Sequence, residues 1–94
     1  MQPEENMKVP AETVCRVCGL DDGKTPLWDE YGAPRYVICP CCATESGIGD
    51  DNLSQVREIR GYWVARGAEW DDPRMKPQNW DLLKQLGNIL PEWR

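Results

Sequence analysis

Histidine is absent from the 94 residues of this chain. Its absence removes the commonest general base at neutral pH, and with it every serine–histidine or cysteine–histidine catalytic arrangement. Mixed cysteine–histidine metal sites are excluded as well, so a metal would have only thiolates and carboxylates to bind it. Serine is limited to Ser46 and Ser54, with no activating partner beside either. Phenylalanine is also missing, and five tryptophans and three tyrosines carry the aromatic packing. No apolar run approaches the length of a membrane span. Met1 is followed by Gln2-Pro3-Glu4-Glu5, without the basic start and apolar stretch of a secretory signal, so the expected location is cytoplasmic. Positive charge is short, with 11 Lys and Arg against 16 Asp and Glu and a formal net charge of −5. Such a surface repels phosphate backbones and makes nucleic acid an unfavourable partner. It suits a basic protein partner, which an acidic face steers and orients.

Cysteine, by contrast, is concentrated. All five cysteines lie in two short stretches, Cys15-Arg16-Val17-Cys18-Gly19 and Cys39-Pro40-Cys41-Cys42. In a reducing compartment such pairs mean metal or redox chemistry and not disulfides, and the odd count and the adjacency of Cys41 and Cys42 agree. Two Cys-x-x-Cys knuckles at this separation are a strong signature of one tetrahedral ion. The expected ligands are Cys15, Cys18, Cys39 and Cys42, with Zn2+ as the expected ion and iron as the alternative. Cys41 is an alternative ligand, pairing with Cys42 in place of Cys39. As a non-ligand it is either a bystander in the turn or a reactive thiol beside the metal. Gly19 fits the positive φ that a knuckle turn often needs, and Ala43 stands at the matching place in the second knuckle. Four thiolates close the coordination shell and leave no position for a reacting water, so the chain is expected not to be an enzyme. They would also bring the net charge to about −7 with a divalent ion. The charge is uneven: residues 1–51, which hold the cysteines, carry ten acids and four bases.

The length allows one domain, and so small a core gains much from a metal staple. Residues 1–11 read as a flexible leader and 12–94 as a single domain. The expected fold class is α+β: a small zinc ribbon over 12–47, rubredoxin-like, with two cysteine knuckles on short antiparallel strands, followed by two packed helices over 50–67 and 78–87. Strands are expected around 13–14, 27–28 and 35–38, with a turn at Asp21-Asp22-Gly23. Asp50 or Asp51 is the expected cap of the first helix and Gly67 its stop. Leu53, Val56, Ile59, Trp63 and Val64 share a face about 140° wide. Arg60 falls inside it, either snorkelling to water or pairing with an acid such as Glu45 or Asp29. Gly61, mid-helix, suggests close packing. Trp80, Leu83 and Leu86 share one side of the second helix. Trp28, Trp63 and Trp80 are expected in the core, while Trp70 and Trp93 are candidate exposed anchors for a partner.

Two families resemble this chain. The two knuckles, the Tyr36-Val37-Ile38-Cys39-Pro40-Cys41-Cys42 approach, and the Arg60, Trp63, Gly67-Ala68 spacing resemble the cysteine-rich CPCC-type family of small bacterial zinc-ribbon proteins over roughly 13–80. In that family the CPCC string usually sits in the first knuckle; here it is the second, and Ala43-Thr44-Glu45 follows it. The resemblance implies a metal-binding protein, some members looking like immunity or accessory proteins of bacterial competition. More weakly, residues 13–47 resemble rubredoxin, which implies an iron electron carrier.

The function expected from these features is a non-enzymatic, metal-stabilised protein–protein interaction module. Its narrower form is an immunity- or antitoxin-type inhibitor of a basic bacterial toxin. The alternatives are the rubredoxin-like iron electron carrier and a transcription- or RNA-associated zinc ribbon, the latter using a basic strip of Arg57, Arg60, Arg66, Arg74 and Lys76. No membrane association is expected.

Overall fold

The computed structural model describes residues 9–94. Residues 1–8 of the expected leader lie outside the described residues; within the remainder, the Val9 N–H donates to the Glu30 carbonyl at 2.8 Å. Two α-helices form, α1 (Leu53–Ala65) and α2 (Leu82–Leu86), with 3₁₀ turns at Pro73–Met75 and Pro91–Trp93.

The expected ribbon on antiparallel strands is not what forms. Among the described residues the first half holds only isolated antiparallel bridges: Glu12 with Trp28, Val14 with Asp21, Trp28 with Pro34, Ile38 with Glu45 and Glu45 with Ile48. Around Pro34, Tyr36 and Gly47 the pairing stops after one step for a visible reason. Pro34 has no N–H to extend a ladder. Tyr36 takes φ 54° and Gly47 φ 94°, both outside extended backbone. The first half is therefore two turns and their flanks, tied by single bridges and by side chains.

Neither expected cap, Asp50 or Asp51, starts helix α1. Asn52 is the N-cap, its side chain accepting the Gln55 N–H at 2.9 Å. Gly67, at φ 93°, follows the last turn as a left-handed stop. The buried stripe is narrow, centred on Val56 and Trp63 with Ile59 and Arg60 beside them, and Val64 is exposed. Gly61 faces open space, so the close packing expected there does not occur. The second helix is shorter than the expected 78–87 because Asp81, accepting the Lys84 N–H, starts it past Trp80. That start rotates the inward face: Gln85 is buried, Leu82 and Leu86 pack on the core, and Leu83 is 78% exposed.

The core joins the knuckles to the helices. Cys15, Val17, Cys18, Cys39 and Cys41 pack with Val56, Trp63, Ala68 and Trp70. Trp80 meets Trp63 and Trp70 edge-on, at ring-centroid distances of 6.5 and 5.8 Å. Such contacts add to the gain from burying large rings. Trp70, a candidate exposed anchor from the sequence, is only 8% exposed.

Candidate metal centre

The two knuckles are built alike. In the first, Cys15 N–H donates to the Leu20 carbonyl and Gly19 N–H to the Cys15 carbonyl, at 2.8 and 2.9 Å. In the second, Cys39 N–H donates to the Thr44 carbonyl and Ala43 N–H to the Cys39 carbonyl, at 3.0 and 2.9 Å. Each turn closes through a left-handed residue, Gly19 at φ 85° and Ala43 at φ 68°. This correspondence pairs Cys15 with Cys39, Cys18 with Cys42, and Val17 with Cys41.

The consequence is a group of four sulfurs. The side-chain sulfurs of Cys15, Cys18, Cys39 and Cys42 all lie within 4.8 Å of one another. Cys15 Sγ is 3.6 Å from Cys42 Sγ, and Cys18 Sγ is 3.6 Å from Cys39 Sγ. A regular tetrahedron with metal–sulfur bonds of about 2.3 Å has edges of about 3.8 Å. The spacing thus fits a single ion and leaves no room for a cluster with bridging sulfides. Cys15, Cys18 and Cys39 are buried and Cys42 is partly open; all five cysteines are free thiols. Four cysteines this close could hold a metal ion.

The chemistry of the group itself favours a cation. Hydrogen bonding to Cys15 pushes the Cys18 and Cys42 thiols up, while bonds within the same group push Cys15 and Cys39 down. A divalent ion would displace the thiol protons and neutralise the crowded charge.

Cys41 stands outside this group. Like its counterpart Val17 it is 0% exposed. It accepts a hydrogen bond from Gln85 Nε2 at 3.3 Å, and the same nitrogen reaches the Cys18 carbonyl at 3.2 Å. Trp80 Nε1 in turn fixes Gln85 Oε1 at 2.7 Å. The spare thiol is a core residue held against Gln85 of α2.

Both knuckles have their middle carbonyls satisfied from distant parts of the chain. Arg60 donates to the Arg16 and Val17 carbonyls at 2.7 and 2.6 Å, and to the Trp93 carbonyl at 2.6 Å. At the matching places of the second knuckle, the N–H groups of Asp72 and Asp71 donate to the Pro40 and Cys41 carbonyls, both at 2.9 Å. Arg60 is therefore neither a snorkelling side chain nor the partner of Glu45 or Asp29.

Arg16, within the first knuckle, had no role assigned from sequence. It is buried, grips both oxygens of Glu12 at 2.8 Å and donates to the Asp50 carbonyl at 2.9 Å. Its guanidinium lies 3.8 Å from the Trp28 ring centroid and 3.9 Å from that of Trp93. Trp93 is thus one half of a cation–π sandwich and not a free anchor. Asp50 lies beneath, accepting from Gly47 N–H and Trp28 Nε1, and burial pushes its carboxyl up. The acid Glu12 four residues before Arg16 was the available sequence signal, but four-residue spacing carries meaning only on a helix.

Three more residues of the basic strip, Arg57, Arg74 and Lys76, are also engaged. Arg57 donates to the Arg94 carbonyl, Arg74 pairs with Asp72, and Lys76 lies 5.1 Å from the Trp80 ring centroid. No helix of the described residues is long and apolar enough to cross a membrane. No family model, curated protein or solved structure matches the chain.

Proposed function

We propose that the chain is a zinc-stapled, non-enzymatic module for binding another protein. The four-sulfur group carries the reading: its ligands come in two knuckles and close a tetrahedron with three of four sulfurs buried. Such a shell is suited to holding a fold together, because no position remains for substrate or reacting water. The acidic excess of residues 1–51 lies in the same half as the centre, and a thiolate site deepens it. A basic protein is the partner this charge suits. The narrower form of the proposal is an immunity- or antitoxin-type inhibitor of a basic toxin, acting in the cytoplasm.

The same sulfur spacing would hold iron, which makes an electron carrier the second reading. Cys42, the partly open ligand, would be its exit for an electron. Native mass spectrometry and the visible spectrum of the purified chain separate the two. One zinc per chain and no visible absorption is the expected result, and stoichiometric iron with a coloured product would overturn it. The interaction reading is tested by passing lysate over the immobilised zinc-loaded chain at low salt. Retention of a basic protein is expected, and retention of nothing refutes it.

A further inference from the structure

Beside the metal centre lies a half-open groove of about 310 Å³. That is the small end of the range for binding pockets, about 300–1,000 Å³, and gives room for one or two side chains. Leu20, Leu27 and Trp70 are among its apolar lining. Cys15 and Cys39 also line it, which puts the four-sulfur group directly behind it. Asp21 and Asp22 border the same hollow, and among the described residues no lysine or arginine does.

The two carboxylates are held in place before any ligand arrives. Asp21 Oδ1 accepts from the Thr13 hydroxyl and the Gly23 N–H, at 2.7 and 2.8 Å. Asp22 accepts from the Thr25 hydroxyl at 2.6 Å and from the N–H groups of Lys24 and Thr25 at 2.8 Å. These bonds, led by that of the Thr25 hydroxyl, hold the Asp22 carboxyl at about 2. Fixed negative charge over apolar walls is complementary to a side chain with a long aliphatic stem and a cationic head. The apolar surface also continues past the hollow: Ile38 and Met75 line it and are still 58% and 59% exposed. The occupant therefore extends beyond one side chain.

We propose that this groove docks a basic–apolar peptide segment of a partner protein, its lysine or arginine at Asp21 and Asp22 and an apolar neighbour against Leu20, Leu27 and Met75. The inference rests on the interaction-module reading and names the face that reading would use.

The test is an amide NMR titration of the zinc-loaded full chain with an amidated peptide of alternating leucine and lysine. Matched peptides carry glutamine or glutamate in place of lysine. The lysine peptide is expected to move amides at 20–22, 25, 27, 38–39 and 75–76 saturably. The glutamine peptide should bind at least fivefold more weakly and the glutamate peptide not at all. The double substitution Asp21→Asn, Asp22→Asn should weaken the lysine peptide at least tenfold. Met75→Ser, on an exposed 3₁₀ turn, should weaken it about threefold without touching the acidic loop. Shifts spread over the whole acidic surface, equal binding of the lysine and glutamine peptides, or full binding by both variants would overturn the groove. A partner protein retained equally by wild type and the double variant removes the groove but keeps the interaction module. Saturable lysine-peptide binding with no protein retained from lysate supports the groove and removes the module reading.

Discussion

Gly19 and Ala43 occupy the same left-handed turn position in the two knuckles, yet only one of them has space for a side chain. A Cβ at Gly19 would sit 2.1 Å from the Gln85 carbonyl oxygen, whereas Ala43 is exposed. Ala43→Gly relieves a left-handed alanine and should stabilise the metal-loaded chain by about 1 kcal/mol, or about 4–8 °C in midpoint for a domain this size. Gly19→Ala should lower the midpoint by more than that, because α2 must move. Thermal unfolding followed by circular dichroism reads both, and a matching response from the two substitutions would contradict the asymmetry.

Cys41 and Val17 share a place as well, and that makes a direct test of the ligand set. Cys41→Val should keep one metal per chain and cost about 1–3 kcal/mol, since valine adds about one carbon to a fully buried site. Cys39→Ser or Cys42→Ser should reduce metal retention at least tenfold. Native mass spectrometry after competition with a chelator distinguishes them. Loss of metal from Cys41→Val would move that sulfur into the coordination shell.

Arg60 ties helix α1 to the first knuckle and to the segment ending the described chain. Arg60→Lys keeps the charge but has no planar fork to serve the Arg16, Val17, Trp93 and Arg94 carbonyls. The cost should be about 2 kcal/mol, near that of one or two charge-assisted hydrogen bonds. Denaturant unfolding with metal in excess measures it. An unchanged midpoint would show that water can replace the fork.

Gly61 lies mid-helix in open space, with nothing within 4 Å of a built Cβ. Gly61→Ala should therefore stabilise by about 1 kcal/mol through helix propensity, with metal affinity unaltered. A destabilised variant would mean that something does pack there in solution.

Two groups should respond to pH in opposite directions. Protons compete with the metal for thiolates, so metal affinity falls as pH drops. Asp50 has the other sign: burial raises its folded-state value above the ordinary 3.8. Between those two values the folded chain binds more protons than the unfolded one, so this group's contribution to stability declines as pH rises through that interval. Carbon-13 NMR of the Asp50 carboxyl in the metal-loaded chain should show a midpoint above the ordinary range. A midpoint at or below it would place the carboxylate in a wetter environment than the fold describes.

What could be read in advance depended on how local its cause is. Cys-x-x-Cys spacing is dictated by the bite of one ion, and the structure brings Cys15, Cys18, Cys39 and Cys42 together and leaves Cys41 out. Helix α1 was legible from its apolar spacing and the Gly67 stop. The strands were not, because β-branched and aromatic composition around 35–38 says nothing about Tyr36 turning left-handed. The face of α2 was misplaced because Asp81 outcompetes Pro77 as the start, a difference of four residues that swings Leu83 outward. The roles of Arg60 and Arg16 were hidden for another reason: most of their acceptors are backbone carbonyls and ring faces, which leave no pattern in the sequence.

The carbonyls capped by Arg60, Asp71 and Asp72 have one further consequence. Helix α1, the 71–72 loop, α2 and the closing 3₁₀ turn each fasten to a knuckle or to a side chain that does, so little of the chain would pack independently of an ion held there. Its amount in a cell would then follow the supply of metal. A starved cell would hold it as an open chain exposed to proteases, and a replete one as a folded protein, with no change in its rate of synthesis.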